Sequence, residues 1–243
     1  MVNKHTKKII TLGGVEFIVI NLTKPLSLDT EVFPGDPKPK RIIFSEIEKD
    51  GYEHYLHLIG DHNFQPHGDA PKHFLDDSRG MEFFNLDYFF NNACLIDLSC
   101  NEKTVEIDRV KWLIEIDDLR AYETLISQKE ALIIRTGYDI WLEKNKPHDI
   151  KKIPYLSKNA VDMLAKYKNL RVVGLDSISV DKPGNQSSHK KLKEKLIIES
   201  MVNLHDIPEK NRENFDLQTS PIVIAGATGG PICAYAFIRK NKL

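Results

Sequence analysis

From His57 to Phe74 the chain reads HLIGDHNFQPHGDAPKHF, and no other stretch limits its folding as much. Four histidines, His57, His62, His67 and His73, surround Asp69, with Pro66 and Pro71 as punctuation. In an extended segment alternate side chains share a face, which turns Asn63, Gln65, His67 and Asp69 to one side and His62 to the other. A histidine and a carboxylate two apart on a strand can close on one metal ion. Pro71 then breaks sheet pairing and bends the chain, so that His73 swings back over the same spot as an unligated base. Taken singly, each histidine fits an ordinary polar surface loop. The His-x-Asp-x-Pro-x-His run as a unit points to a site.

The rest of the pattern is strand-rich. Val15–Leu22, Arg41–Ile47, Tyr55–Ile59, Ala93–Leu98, Ala131–Arg135, Arg171–Leu175, Lys195–Glu199, Pro221–Ala225 and Ile232–Phe237 all read as strands, and residues 1–14 as a polar N-terminal extension. Helical spacing over Asp117–Ser127 and a helix from an N-cap at Ser157 to Lys168 complete one mixed α/β domain spanning residues 1–243. The serines of the 183–188 loop are expected to cap a short helix near His189. Glu199 ends an apolar strand, where a carboxylate is costly unless it finds a cation, a metal or several donors. Phe33 sits in the turn VFPGDP, either at the rim of a pocket or as a plug into the core. Arg135 at its strand end either binds an anion or, as its position favours, pairs with a carboxylate.

Charge excludes several partners. With 34 basic and 35 acidic side chains the formal net charge is -1, and the bases are scattered, so no nucleic-acid footprint is present. Lys190 to Lys195 reads as the solvated face of a helix. No apolar run is long enough to cross a bilayer and no signal-peptide pattern opens the chain, so a soluble, cytoplasmic protein without membrane partners is expected. Of three cysteines, Cys94 and Cys233 lie in apolar runs and are expected to be buried, while Cys100 is uninformative. The glycine run 226–230 joins strand to strand without a following helix, which is no phosphate-binding fingerprint and implies no organic cofactor.

Five segments, in order, resemble the cyclase-type metal-dependent hydrolases, the family that includes bacterial kynurenine formamidase and isatin hydrolase. They are INLTKPLSLDTEVFPGDP, HGDAPKHF, IIRTGYD, VVGLDSISVD with His189 and Glu199, and IVIAGATGGPICAYAF. The resemblance implies a single α/β mixed-sheet domain of swivelling β/β/α-like type, strand-rich with a few peripheral helices. It implies one or two divalent ions, zinc or manganese, held by His67, Asp69, His189 and Glu199, with His73 as the catalytic proton-transfer group and Phe33 against the substrate. It further implies hydrolysis of an amide or related carbonyl compound, arylformamidase-like, by a homodimer or homotetramer acting on a small molecule.

The chain is a divergent member of that pattern. The family signature His-x-Gly-Thr-His-x-Asp-x-Pro-x-His places Asn63 at the first metal histidine and Gln65-Pro66 at Gly-Thr. Asparagine is a poor zinc ligand, acceptable to harder ions, so Asn63 enters as a weak ligand. His62 could replace it only if a bulge turned it over. The His189 to Glu199 spacing is two residues short of the family's, so either the loop is trimmed or one assignment fails. A metal-deficient binding or structural protein, and a metal-dependent lyase or cyclase, stay open as alternatives.

Overall fold

The computed structural model describes residues 6–76, 79–99, 110–144 and 149–240. The strands are β1 (Lys7–Leu12), β2 (Val15–Asn21), β3 (Lys40–Ser45), β4 (His54–Leu58), β5 (His67–Asp69), β6 (Phe90–Asp97), β7 (Leu113–Ile114), β8 (Ala131–Arg135), β9 (Tyr155–Leu156), β10 (Val172–Leu175), β11 (Leu196–Glu199), β12 (Phe215–Pro221) and β13 (Gly229–Arg239). Short helices lie between them: α1 (Ile47–Asp50), α2 (Leu86–Phe89), α3 (Ile116–Arg120), α4 (Glu123–Ser127), α5 (Tyr138–Lys144), α6 (Lys158–Leu164) and α7 (Ser187–Lys191). This is the strand-rich α/β fold that the sequence pattern implies.

Nine strands form one sheet in the order β1-β2-β13-β12-β6-β8-β10-β11-β5, and β13 also pairs with β5. That second pairing closes seven of them into a barrel-like ring, with β1 and β2 running on beyond β13. The four neighbours β6, β8, β10 and β11 are parallel, so both their faces need cover. Alternation supplies it. Leu95, Ile133, Val172, Leu196 and Ile198 point to the inner core with Leu217 and Ala234. Cys94, Ile96, Leu132, Ile134, Val173 and Ile197 point outward, under Leu119, Ile126, Val161 and Leu164 of the helices.

The closing strand is also the shortest of the ring. β5 is three buried residues, antiparallel to both neighbours, with His67 opposite Glu199 on β11 and Pro231 on β13, and Asp69 opposite Ile197 and Gly229. Pro66 and Pro71 lack the N–H that would carry the strand further in either direction. At Gly68 a side chain would meet Ile232 and Leu196, and at Gly229 an added Cβ would lie 2.3 Å from His62 Cε1 and 2.7 Å from the Gly68 carbonyl. Glycine here lets the 226–230 loop close over the histidines.

Several local expectations are corrected. Residues 7–12 are no extension: β1 pairs with β2 through a two-residue turn at Gly13 and Gly14, whose φ values of +55° and +80° suit a tight hairpin. The strand before the glycine loop is Phe215–Pro221, leaving Ile222, Val223 and Ile224 exposed. Cys94 is buried, but Cys233 falls on an outward position of β13 and is exposed. Cys100 lies outside the described residues. Lys195 is no solvated lysine; it is buried, with Nζ donating to the carbonyls of Tyr167 and Leu170. The helical pattern over 117–127 splits into α3 and α4, and α6 stops at Leu164, with Ser157 capping it through the Ala160 N–H. Arg135 has the structural role, pairing with Asp97 at 2.8 Å.

Replacing Gly229 with alanine overpacks this closure, and the expected cost is about 1–3 kcal/mol, read by urea unfolding. An unchanged midpoint would mean that the loop can retreat from His62 freely.

Candidate metal centre

Three segments meet at the carboxyl ends of β10 and β11. The first is the turn 60–63, which is not extended, so strand parity does not reach it. The Asn63 side chain donates to the Gly60 carbonyl at 3.0 Å, closing the turn on itself. His62 is thereby the residue brought in, with Nδ1 2.9 Å from Asp69 Oδ1. It is His62, set aside by strand parity, that reaches Asp69, while the Asn63 amide is engaged in the turn. Pro66 was the available signal, because it interrupts the strand on which the parity argument depended.

The second segment is β5. His67 Nδ1 lies 2.8 Å from the Gln65 carbonyl, so that nitrogen carries the proton and Nε2 turns inward, 3.7 Å from Asp69 Oδ1 and 3.6 Å from Glu199 Oε2. The Gln65-Pro66 departure therefore keeps what the site uses: a carbonyl for His67, and the Pro66 carbonyl for the Ile232 N–H at 2.9 Å.

The third segment runs from β10 to β11. Despite their short spacing, His189 on α7 and Glu199 at the end of β11 both arrive, with His189 Nε2 3.0 Å from Asp69 Oδ2 and 3.2 Å from Glu199 Oε1. Sequence reasoning missed Asp181. Its carboxylate accepts the N–H groups of Ser188 and His189, so it caps α7 in place of the serines, and it lies 2.7 Å from His189 Nδ1. An acid just upstream of a Pro-Gly turn and a short helix was the readable cue. Asp176 likewise has a structural task, accepting the N–H groups of Thr136, Gly137 and Tyr138 at the start of α5.

The hydrogen bonds fix which nitrogen of each ring faces inward. Thr228 Oγ1 donates to Asp61 Oδ2 at 2.9 Å and lies 3.1 Å from His62 Nε2, which leaves His62 Nδ1 toward Asp69. All three rings thus bond outward, to Thr228, Gln65 and Asp181, and turn the other nitrogen toward Asp69 or Glu199, where it can hold a proton or a metal ion. Acceptors facing acceptors at about 3 Å repel unless a cation lies among them. Two overlapping ligand sets result, His62–His67–Asp69 and Asp69–His189–Glu199, sharing Asp69. Imidazole nitrogens mixed with carboxylate oxygens suit a divalent transition ion, so the donor set fits the metal that the sequence pattern implies.

Proton affinities follow the same field. Burial opposes charge on His67, but the Glu199 carboxylate and the Asp69 charge outweigh it and raise its pKa to about 9. His189 is raised well above the ordinary value against its burial, by Asp181, Asp69 and Glu199. Asp69 is held well below the carboxylate range, its burial outweighed by His189 and His62. His73 behaves in the opposite way. Burial lowers it to about 4, the Asp69 charge offsetting only part of that, and the ring is therefore neutral near pH 7. It stacks on His62 at 3.7 Å between centroids, lies 3.9 Å from Phe74, and contributes no nitrogen to either ligand set.

All of these groups open onto a cavity of about 320 Å³. Phe33, held edge-on against Phe64 at 4.8 Å, and Phe74 form its aromatic wall, and Lys182 and Asp36 line it too. No helix among the described residues is long and apolar enough to cross a membrane.

The chain is similar to several known proteins. Kynurenine formamidase of Bacillus anthracis is 25% identical over 219 residues, covering 88% of this chain and 95% of that protein. The enzyme of the same name from Sphingopyxis alaskensis is 22% identical over 220 residues, with the same coverage. Isatin hydrolase A from Labrenzia aggregata, solved with benzyl benzoate, shares the fold at a TM-score of 0.73 and 17% identity, over 91% of this chain and 94% of that one. An isatin hydrolase bound to the product analogue thioisatinate gives a TM-score of 0.74 at 20% identity, over 91% and 92%. The family model described as "Putative cyclase" matches residues 20–182, and the chain belongs to that cyclase family.

Proposed function

We propose that this chain is a metal-dependent hydrolase of an amide or related carbonyl compound, similar in activity to kynurenine formamidase. The observation that carries the reading is the set of three imidazoles, each bonded outward through one nitrogen and each turning the other toward Asp69 or Glu199. His62, His67, Asp69, His189 and Glu199 would hold one ion or, with Asp69 shared, two, with zinc or manganese suited to the donors. Such an ion supplies Lewis-acid polarisation of a substrate carbonyl and of water.

The remaining steps belong to the protein's own groups. His73 is neutral at pH 7 and borders the cavity without being a ligand, so it accepts a proton from water as the carbonyl is attacked and returns it to the leaving amine. Its stacking on His62 fixes the ring plane. Phe33 and Phe74 offer flat apolar surface to an aromatic substituent. Asp181 and Thr228 are positioning residues, since each holds a ligand ring in the tautomer that leaves its inner nitrogen unprotonated.

His73→Ala is expected to lower kcat by about 10²–10⁴-fold while the metal content stays unchanged. Loss of metal in that variant, measured by plasma emission spectrometry, would make His73 a ligand and overturn its role as the proton carrier. In the same measurement His62→Ala should lose metal and Asn63→Ala should retain it; the reverse result would restore the strand-parity assignment.

Two imidazoles give the metal-free protein opposite pH dependences. His67, whose pKa rises on folding to about 9, contributes stability that is complete below about 6.5 and is lost as pH climbs to 9. His73, lowered to about 4, contributes stability that is lost as pH falls from about 6.5 toward 4. Bound divalent metal needs deprotonated ligands, so it should remove the alkaline fall, which for the metal-free form is on the order of 5 °C in Tm. A metal-free melting curve that is flat between pH 6.5 and 9 would contradict the arrangement of the cluster.

A further inference from the structure

A second and much smaller space, of about 40 Å³, shares no lining residue with the cavity of the metal centre. It forms where β8 passes into α5 and where the chain leaves β10 and β11. Asp139, Asp176 and Ser200 supply its polar wall, and Phe64, Leu142 and Met201 its apolar one. The three polar residues are only 9%, 1% and 7% exposed. Asp139 Oδ1 and Ser200 Oγ have no hydrogen-bond partner among the described residues. Asp176 cannot serve them, because the Thr136 hydroxyl and the N–H groups of Thr136, Gly137 and Tyr138 already take up its lone pairs. A carboxylate oxygen and a hydroxyl buried beside one space are costly unless something in it meets them both.

Charge is out of balance at the same place. Arg135 and Arg212 both pair with Asp97, at 2.8 and 3.1 Å, and the fields of Asp139 and Asp176 also reach Arg135. Two guanidiniums therefore stand against three carboxylates, Asp97, Asp139 and Asp176. At the mouth Lys24 and Glu143 offset each other, and neither Lys24 nor Arg135 bonds Asp139 Oδ1. His205 adds a positive field at Asp139 only when its ring is protonated. One negative charge is left over where water is excluded. Burial accordingly raises both acids, Asp176 to about 7, with the Asp139 charge adding to the effect.

We propose that this space binds one monovalent alkali cation, sodium or potassium, held by Asp139 Oδ1 and the Ser200 hydroxyl with the Asp176 charge beside them. About 40 Å³ is room for a single water-sized particle, which suits a bare alkali ion and not magnesium, which keeps several of its waters. The donors are oxygens alone, without the imidazoles that suit a transition ion. One positive charge closes the count, whereas the two of calcium would overshoot it. A water in the same place would satisfy both polar atoms and leave the charge unbalanced. Bound there, the ion ties the first turn of α5 to the residue that follows Glu199, so it anchors a ligand-bearing strand end without touching the ligand.

Thermal melting of the full, metal-loaded chain at about pH 8, where histidine is uncharged, tests this without reference to catalysis. Sodium, potassium and N-methylglucamine chlorides at about 100 mM give equal ionic strength, and at least one alkali ion should raise Tm by about 4 °C over N-methylglucamine, saturably. Asp139→Asn should abolish the rise, and its Tm in N-methylglucamine should be no lower than that of the unaltered protein, because the unbalanced charge is gone. Ser200→Ala keeps the carboxylate and should raise the half-saturating ion concentration about 10-fold. Equal Tm in all three salts would mean that a water or a proton fills the space, and the site would be overturned. A rise that survives Asp139→Asn would place the ion elsewhere in the protein. An alkali response that appears only in Lys24→Met would make the Lys24 ammonium the counter-charge and refute the proposal. A larger rise with about 5 mM calcium, lost in Asp139→Asn, would overturn the monovalent assignment.

Discussion

Three imidazole lone pairs and two carboxylates face one another at the carboxyl ends of β10 and β11, and the arrangement is electrostatically tolerable only around positive charge. Protons and metal ions compete for the same lone pairs. That competition accounts for the raised proton affinity of His67 and His189 and the depressed one of Asp69. The outer hydrogen bonds to Gln65, Thr228 and Asp181 matter as much as the inner contacts, because they prevent each ring from rotating its N–H inward and quenching the cluster alone. His73 lies outside this field of acceptors far enough for burial to dominate, which is why one histidine of the group stays neutral while others gain protons.

The same three residues that carry two of these groups also close the barrel. β5 bridges β11 and β13, so its main chain completes the ring while its side chains at 67 and 69 meet Glu199. Stability and chemistry are therefore coupled at one short strand. Gly68 lies between core side chains on both sides and cannot be enlarged, and Gly229 cannot take a Cβ without striking His62. The 226–230 loop, which as a sequence looks like mere connection, is the cover that sets the His62 ring in place through Thr228.

Where the sequence could be read and where it misled follow one rule: periodicity reports only what is regular. The buried parallel strands were legible because ALII, VVGL and LIIE are continuous apolar runs, and Glu199 stood out as an acid ending one of them. His67 and Asp69 share a face as strand geometry requires. The inference failed where it was carried past Pro66 into a turn, which assigned Asn63 and set His62 aside. β1 was hidden because both faces of that edge strand are largely exposed, leaving no apolar alternation to notice beyond KKIITL. Thr228 was invisible for a different reason, since it acts across 166 residues of sequence and no local pattern records such a partner.

The turn 60–63 shows why the departure at position 63 is compatible with an intact site. His62 precedes His67 by five residues, one more than the four of the family signature, so a straight strand would put its ring on the wrong side. The extra residue is absorbed because the chain turns instead of extending. Asn63 bonds back to the Gly60 carbonyl, Asp61 grips Thr228, and His62 between them is pushed over Asp69 from the turn. A histidine at 63 would lose the bond that closes the turn, while an asparagine at 62 would leave Asp69 facing a neutral amide. The longer spacing and the asparagine thus belong to one local arrangement: the imidazole is carried by a turn instead of a strand, and Asn63 holds that turn.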